Sequence, residues 1–311
     1  MKSRIILLIT LIFFPLSIRL SAAEPERTCT FAEKDGQELK LDFYPAAQGS
    51  QTQIDGKTKP AIIFVFGGGF IMGERDNDLY KRWFSVLNEE GYPTFSIDYR
   101  LGMKDVHEKG IAQAKAFNKA VDMAVEDLFS AVTYIVEHAG EFGVSADNLV
   151  ISGCSAGAMT VLKADWVISN TSPESLGLPE GFSFKGVISF SGAVLTNTGK
   201  ITYRKDPAPT LMFHGIDDRL VNYKGLTIFN WRFWGTHKMT SLFRKNNYVY
   251  NTYRFVGDGH DIAASMMETI PEQIRFLEAD VTLGIRRILD NTVEDPSIPE
   301  FGFDLSRSDL Y

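Results

Sequence analysis

An α/β architecture is predicted for this 311-residue chain: a mostly parallel twisted sheet, an antiparallel hairpin at its N-terminal edge and helices on both faces. Three observations predict it. Continuous apolar runs alternate with longer helical stretches from Lys59 onward, two alternating segments flank an Asp-Gly turn before that point, and Gly153-Cys154-Ser155-Ala156-Gly157 stands between an apolar run and a helix-forming one. The runs at 61–66, 94–97, 149–152, 186–190, 210–213 and 249–255 read as strands buried on both faces. Between them, 80–90, 112–139, 156–169, 226–245 and 261–289 read as helices. Such alternation implies crossover connections and parallel pairing. Earlier in the chain, 28–34 and 38–44 read as a hairpin about Asp35-Gly36. Leu39, Leu41 and Phe43 alternate there, so one face is buried. No repeat and no Pro/Gly/Ser linker divides the chain, so residues 24–311 read as one domain, with an extended arm from Asn291 carrying Pro296 and Pro299.

Residues 1–23 read as a signal peptide. Lys2 and Arg4 precede an apolar stretch over 5–18, and Ser21-Ala22-Ala23 offers small residues for cleavage after Ala23. That stretch is short for a membrane span, which takes about 20 residues. The mature protein is therefore expected to be secreted or periplasmic, with no stable membrane span. Removing Lys2, Arg4 and Arg19, and no acid, moves the net charge from −7 to −10. A chain this acidic lacks the basic footprint that nucleic acid or an anionic membrane surface attracts. Cys29 and Cys154 are the only cysteines and make no disulfide framework, so both are expected to be unpaired.

The chemistry-bearing residues follow the strands. Ser155 is led by an apolar strand and followed by helix formers, the context of a nucleophile elbow, in which glycines relieve a sharp strand-to-helix turn. The helix N-terminus that follows directs free N–H groups toward any oxyanion formed there. A serine hydroxyl needs a base, and the base an orienting acid. His214-Gly215-Ile216-Asp217-Asp218 and Gly257-Asp258-Gly259-His260-Asp261 each follow a strand, which places acid and histidine at the carboxyl edge where groups of open parallel sheets converge. Either Asp217 or Asp218 fits the acid, and His260 the base. His107 and His138 read as surface residues, His214 as packed or bonded to backbone, and His237 as either packed or near substrate. No histidine pair has zinc-site spacing, and neither metal nor cofactor is expected. Phe66-Gly67-Gly68-Gly69-Phe70, directly after a strand, suits an oxyanion loop. A phosphate loop would need Gly-Lys-Ser/Thr, and Met72 stands where a dinucleotide fingerprint needs its last glycine.

In this order the set resembles the α/β-hydrolase esterase–lipase family, of the type with a glycine-triplet oxyanion loop. The pieces are residues 66–70, Asp98-Tyr99-Arg100-Leu101, Phe142-Gly143 with Asp147-Asn148, the elbow, His214-Gly215-Ile216-Asp217-Asp218-Arg219-Leu220-Val221 and Gly259-His260. The resemblance implies the α/β-hydrolase fold, a Ser155, His260, Asp218 triad with Asp217 as runner-up acid, and oxyanion donors at Gly68, Gly69 and Ala156. One departure is Phe66, where the family usually has a histidine; the loop is then expected to be braced differently. The implied function is hydrolysis of carboxylic esters with small to medium acyl groups through an acyl-enzyme, the substrate being a small-molecule or glycan ester such as an acetyl or feruloyl ester. A serine peptidase of the oligopeptidase-related type shares the triad order but carries a large extra domain. A catalytically silent hydrolase-fold binding protein is the non-enzyme alternative. The aromatic run 226–234 reads as a packed helix or as the wall of an acyl pocket.

Overall fold

The computed structural model describes residues 22–299 apart from Phe229; the expected leader falls almost wholly, and the end of the C-terminal arm entirely, outside the described residues. Strands β1 (Arg27–Lys34) and β2 (Gln37–Tyr44) form the predicted hairpin. Asp35 and Gly36 both have positive φ, 53° and 74°, as a type I′ turn requires. A two-residue hairpin, β3 (Gln53–Ile54) with β4 (Lys57–Thr58), follows. Strand and helix then alternate: β5 (Ala61–Val65), α1 (Asp78–Glu89), β6 (Thr94–Ile97), α2 (Ile111–Glu137), the short α3 (Ala139–Phe142), β7 (Leu149–Cys154), α4 (Ala156–Asn170) and β8 (Gly186–Phe190). The remaining elements are β9 (Ala193–Thr196), β10 (Thr210–Gly215), β11 (Leu226–Ile228), β12 (Trp231–Gly235), α5 (Thr236–Asn246), β13 (Tyr250–Phe255), α6 (Ile270–Arg275) and β14 (Ile288–Val293).

Nine strands make the main sheet in the order β1-β2-β6-β5-β7-β8-β10-β13-β14. Only the β1–β2 and β2–β6 pairings are antiparallel. The apolar runs are continuous because both faces are covered. Phe64 turns to one face, where its ring meets Tyr80, Trp83 and Phe84 of α1 at 4.7, 5.2 and 5.5 Å. Phe95 and Phe43 turn to the other, where both meet Phe142 at 5.0 Å. Trp83 Nε1 donates to Gln273 Oε1 at 2.8 Å, tying α1 to α6. Among the described residues no helix is long and apolar enough to cross a membrane.

Two expected helices are corrected. Leu226–Ile228 and Trp231–Gly235 pair as β11 and β12, which join β9 in a separate three-stranded sheet, and only Thr236–Asn246 is helical. Gly225 (φ 74°) opens the segment and the aromatic run Trp231–Gly235 suits a half-buried strand, for which the unpaired edge of β9 supplies a partner. The stretch 261–289 is likewise not one helix. It divides into a 3₁₀ turn His260–Ala264, α6 with Pro271 in its first turn, and a π-helical segment Phe276–Thr282. Gly284 (φ 71°) then releases the chain into β14 at the sheet edge, so the arm expected from Asn291 begins as part of a strand.

Asp165 of α4 is buried and accepts a 3.2 Å hydrogen bond from the Ala208 N–H. Burial pushes its carboxyl up to about 7, against that N–H. Between the ordinary carboxylate range and pH 7 the native state then holds a proton that the unfolded state has lost, so stability falls as pH rises through that window. Asp165→Asn is expected to raise the unfolding free energy at pH 8 by about 1–3 kcal/mol and to leave little difference at pH 4, as checked by urea titrations at the two pH values.

Candidate active site

The strand registers bring the sequence motifs to one edge. Val65 pairs with Gly153, Cys154 with Phe190, Phe190 with Phe213, and Gly215 with Phe255, so β5, β7, β8, β10 and β13 end nearly level. Backbone bonds extend the ladder past the strand ends: Ser155 N–H to Phe190 O at 2.9 Å, Ser191 N–H to Phe213 O at 2.8 Å and Ile216 N–H to Phe255 O at 2.9 Å. The loops carrying residues 66–70, Ser155, Asp218 and His260 therefore issue side by side, with β8 intervening between the strands of the serine and the acid.

Ser155 has φ 51° and ψ −115°, a strained conformation for a residue with a side chain. The turn is possible because Gly157 packs directly on β5: a Cβ there would lie 1.9 Å from Val65 O. Ser155 Oγ is 2.8 Å from His260 Nε2, and His260 Nδ1 is 2.8 Å from Asp218 Oδ2. His260 begins the 3₁₀ turn His260–Ala264 and is buried, as is Asp218. Asp217 is held otherwise, its N–H bonded to Asp258 O at 3.1 Å. The three residues singled out from the sequence thus lie in one hydrogen-bonded line.

Asp218 is saturated with donors. Its Oδ1 accepts from the Leu220 and Val221 N–H groups, each at 2.9 Å, and its Oδ2 also lies 3.2 Å from His214 Nε2. That same nitrogen is 2.8 Å from Val221 O, an acceptor only, so Nε2 carries the hydrogen and His214 donates toward the carboxylate. Its Nδ1 faces the Thr236 hydroxyl at 2.8 Å. Burial pushes the Asp218 carboxyl up, but the hydrogen bonds from His214 and His260 outweigh it and hold the group well below the ordinary carboxylate range. His214 was expected to pack or bond to backbone; it bonds backbone and also grips the acid. The signal was its place four residues before Asp218 at a strand end, which only becomes contact once the loop folds back.

The glycine loop lies against the elbow. A Cβ on Gly67 would be 3.2 Å from Ser155 Cβ. Gly68 has φ 117°, and its carbonyl accepts from the Ile71 and Met72 N–H groups at 3.0 and 3.1 Å, closing a tight turn that a Cβ, 2.0 Å from Met72 O, would break. Ala156 opens α4, so its N–H has no intrahelical acceptor and points out of the helix end. Cys154 and Cys29 are both free thiols, the former buried. Among the described residues no cluster of three or more His, Cys, Asp or Glu side chains is arranged to hold a metal.

The fold is the α/β-hydrolase fold. Residues 48–194 match the BD-FAE family model. The chain is 30% identical over 105 residues to gut esterase 1 of Caenorhabditis briggsae, covering 34% of this chain and 18% of that protein. To lipase 2 of Moraxella sp. (strain TA144) it is 28% identical over 141 residues, covering 45% of this chain and 29% of that one. The chain thus spans less than a third of the length of these curated relatives. The butyrate-bound structure of Est2, an esterase from the Planctomycetes species Thermogutta terrifontis, superposes with a TM-score of 0.59 at 20% identity, covering 84% of this chain and 95% of that one. The chain is thus similar to esterases and lipases over part of its length, and to an esterase in its fold.

Removing the His214 donor strips one hydrogen bond from a buried charge. His214→Leu is expected to lower the unfolding free energy at pH 7 by about 2–3 kcal/mol. A depressed carboxyl pKa stabilises fully above the unfolded-state value of about 4 and loses that as pH falls toward the folded one, so the deficit should hold from pH 7 to about 4 and shrink below it, which chemical unfolding from pH 7 down to about 2 measures.

Proposed function

We propose that this chain is a serine esterase that hydrolyses carboxylic esters through an acyl-enzyme. The observation that carries the reading is the line Ser155 Oγ, His260 Nε2, His260 Nδ1, Asp218 Oδ2, with 2.8 Å at each hydrogen bond. Asp218, held ionised, accepts a hydrogen bond from the Nδ1–H of His260, which leaves the Nε2 lone pair toward the serine hydroxyl. Ser155 Oγ attacks the ester carbonyl as its proton passes to Nε2. The tetrahedral oxyanion is met by the N–H groups of Gly68, Gly69 and Ala156, each such donor being worth about 3 kcal/mol in comparable sites. Collapse expels the alcohol, which takes the proton from His260. Water, activated by the same nitrogen, then releases the acid and restores the serine.

Small to medium acyl groups fit this reading, and an acetyl or feruloyl ester of a glycan is the natural substrate we favour. The Est2 neighbour is described with propionate and butyrate bound and phosphorylated by paraoxon, which guides the choice of probes. Residues 1–23 are taken as an export leader, so the substrate is met outside the cytoplasm.

Ser155→Ala is expected to abolish hydrolysis of p-nitrophenyl acetate to octanoate and labelling by a fluorophosphonate while the unfolding midpoint holds; substantial residual turnover would overturn the assignment. Asp218→Asn should cost about 10⁴-fold in kcat, as loss of the correct tautomer does in triads, and Asp217→Asn less than tenfold. Steady-state kinetics of the two variants rank them.

A further inference from the structure

Two tyrosines stand at the start of the glycine loop, one bonded to its first carbonyl and the other to the residue before the elbow serine. Tyr99, just beyond β6, donates its hydroxyl to Phe66 O at 3.1 Å, in a buried contact. Its ring lies 4.5 Å from that of Phe66 and 6.0 Å from that of Phe70, so one residue touches both ends of the loop. Tyr80 of α1 meets the elbow instead. Its hydroxyl is 3.4 Å from Cys154 Sγ, the residue before the elbow serine. Burial pushes the Tyr80 hydroxyl well up and the Cys154 thiol up to about 11. A Cβ at Gly67 would sit 3.2 Å from both Cys154 Sγ and Ser155 Cβ, so Gly67 packs directly on the elbow.

We propose that Tyr99, on the Phe66 carbonyl, and Tyr80, on the Cys154 thiol that Gly67 packs against, are positioning residues that clamp the start of the loop and so aim the next N–H groups, those of Gly68 and Gly69, at the oxyanion. The inference rests on the esterase reading. Neither tyrosine acts on substrate; together they fix the start of a backbone that three successive glycines leave otherwise loose. Pre-aimed donors stabilise the tetrahedral state more than the bound ester, so the clamp acts on kcat and not on KM.

Tyr99→Phe and Tyr80→Phe remove one hydroxyl each and keep the rings packed. In the mature chain, with p-nitrophenyl butyrate, each is expected to lower kcat about tenfold with KM within twofold of wild type. Affinity for an alkyl boronic acid, which forms a tetrahedral adduct on the serine, should fall in parallel with kcat/KM, and the unfolding midpoint should shift little. Unchanged kcat and boronate affinity in both variants would overturn the clamp. So would a loss that appears as raised KM with a lowered unfolding midpoint, the mark of a merely structural role. A wild type that neither hydrolyses esters nor reacts with a fluorophosphonate overturns the esterase reading and the clamp with it. An active wild type with indifferent variants overturns the clamp alone.

Discussion

Parallel pairing of β5, β7, β8, β10 and β13 in registers that end level at one edge is the constraint on which the rest of this molecule depends. Strand side chains alternate with a period of two, so a slip of one residue would turn Phe64 away from Tyr80, Trp83 and Phe84 and also move a loop by the rise of a residue. Core packing and site geometry are thereby set by the same ladder. The bonds from Ser155, Ser191 and Ile216 to the neighbouring strand ends carry that register into the loops.

The strain at Ser155 has its support in the core. An unusual φ and ψ persist only where surroundings over-determine them, and here Gly157 on β5, Phe190 O on the Ser155 N–H and Gly67 against Ser155 Cβ do so from three sides. Each of these contacts is made by backbone or by the near absence of a side chain. The elbow is consequently a property of close backbone approach, which explains why small residues crowd the stretches 67–69 and 153–158.

Around Asp218 the balance is electrostatic. A buried carboxylate is costly unless every lone pair is met, and two backbone N–H groups with two histidines meet them. His214 and His260 approach the same oxygen from different elements, so the orientation of the acid is fixed independently of the histidine that faces Ser155. Asp165 shows the opposite outcome within the same fold: one N–H donor does not offset burial, and its carboxyl is pushed up.

By itself the sequence determined the hairpin about Asp35-Gly36, the buried parallel strands, most of α1, α2 and α4, and the candidate residues Ser155, His260 and Asp218. All of these depend on local signals: turn residues with positive φ, apolar runs of strand length, and motifs written within a few residues. Where tertiary pairing chose the conformation, the sequence misled. The run 226–235 has apolar residues enough for a helix, but an open strand edge at β9 made two strands of it, and Ile288-Leu289 ended in β14 because β13 left an edge to cover. The grip of His214 on Asp218, and the contacts of Tyr99 with Phe66 and of Tyr80 with Cys154, were invisible for a related reason. The tyrosine contacts join residues 33 and 74 positions apart, and the histidine contact, though local in sequence, forms only when the loop folds back on its strand. Periodicity and spacing report what a segment prefers; only the folded sheet decides which segments meet.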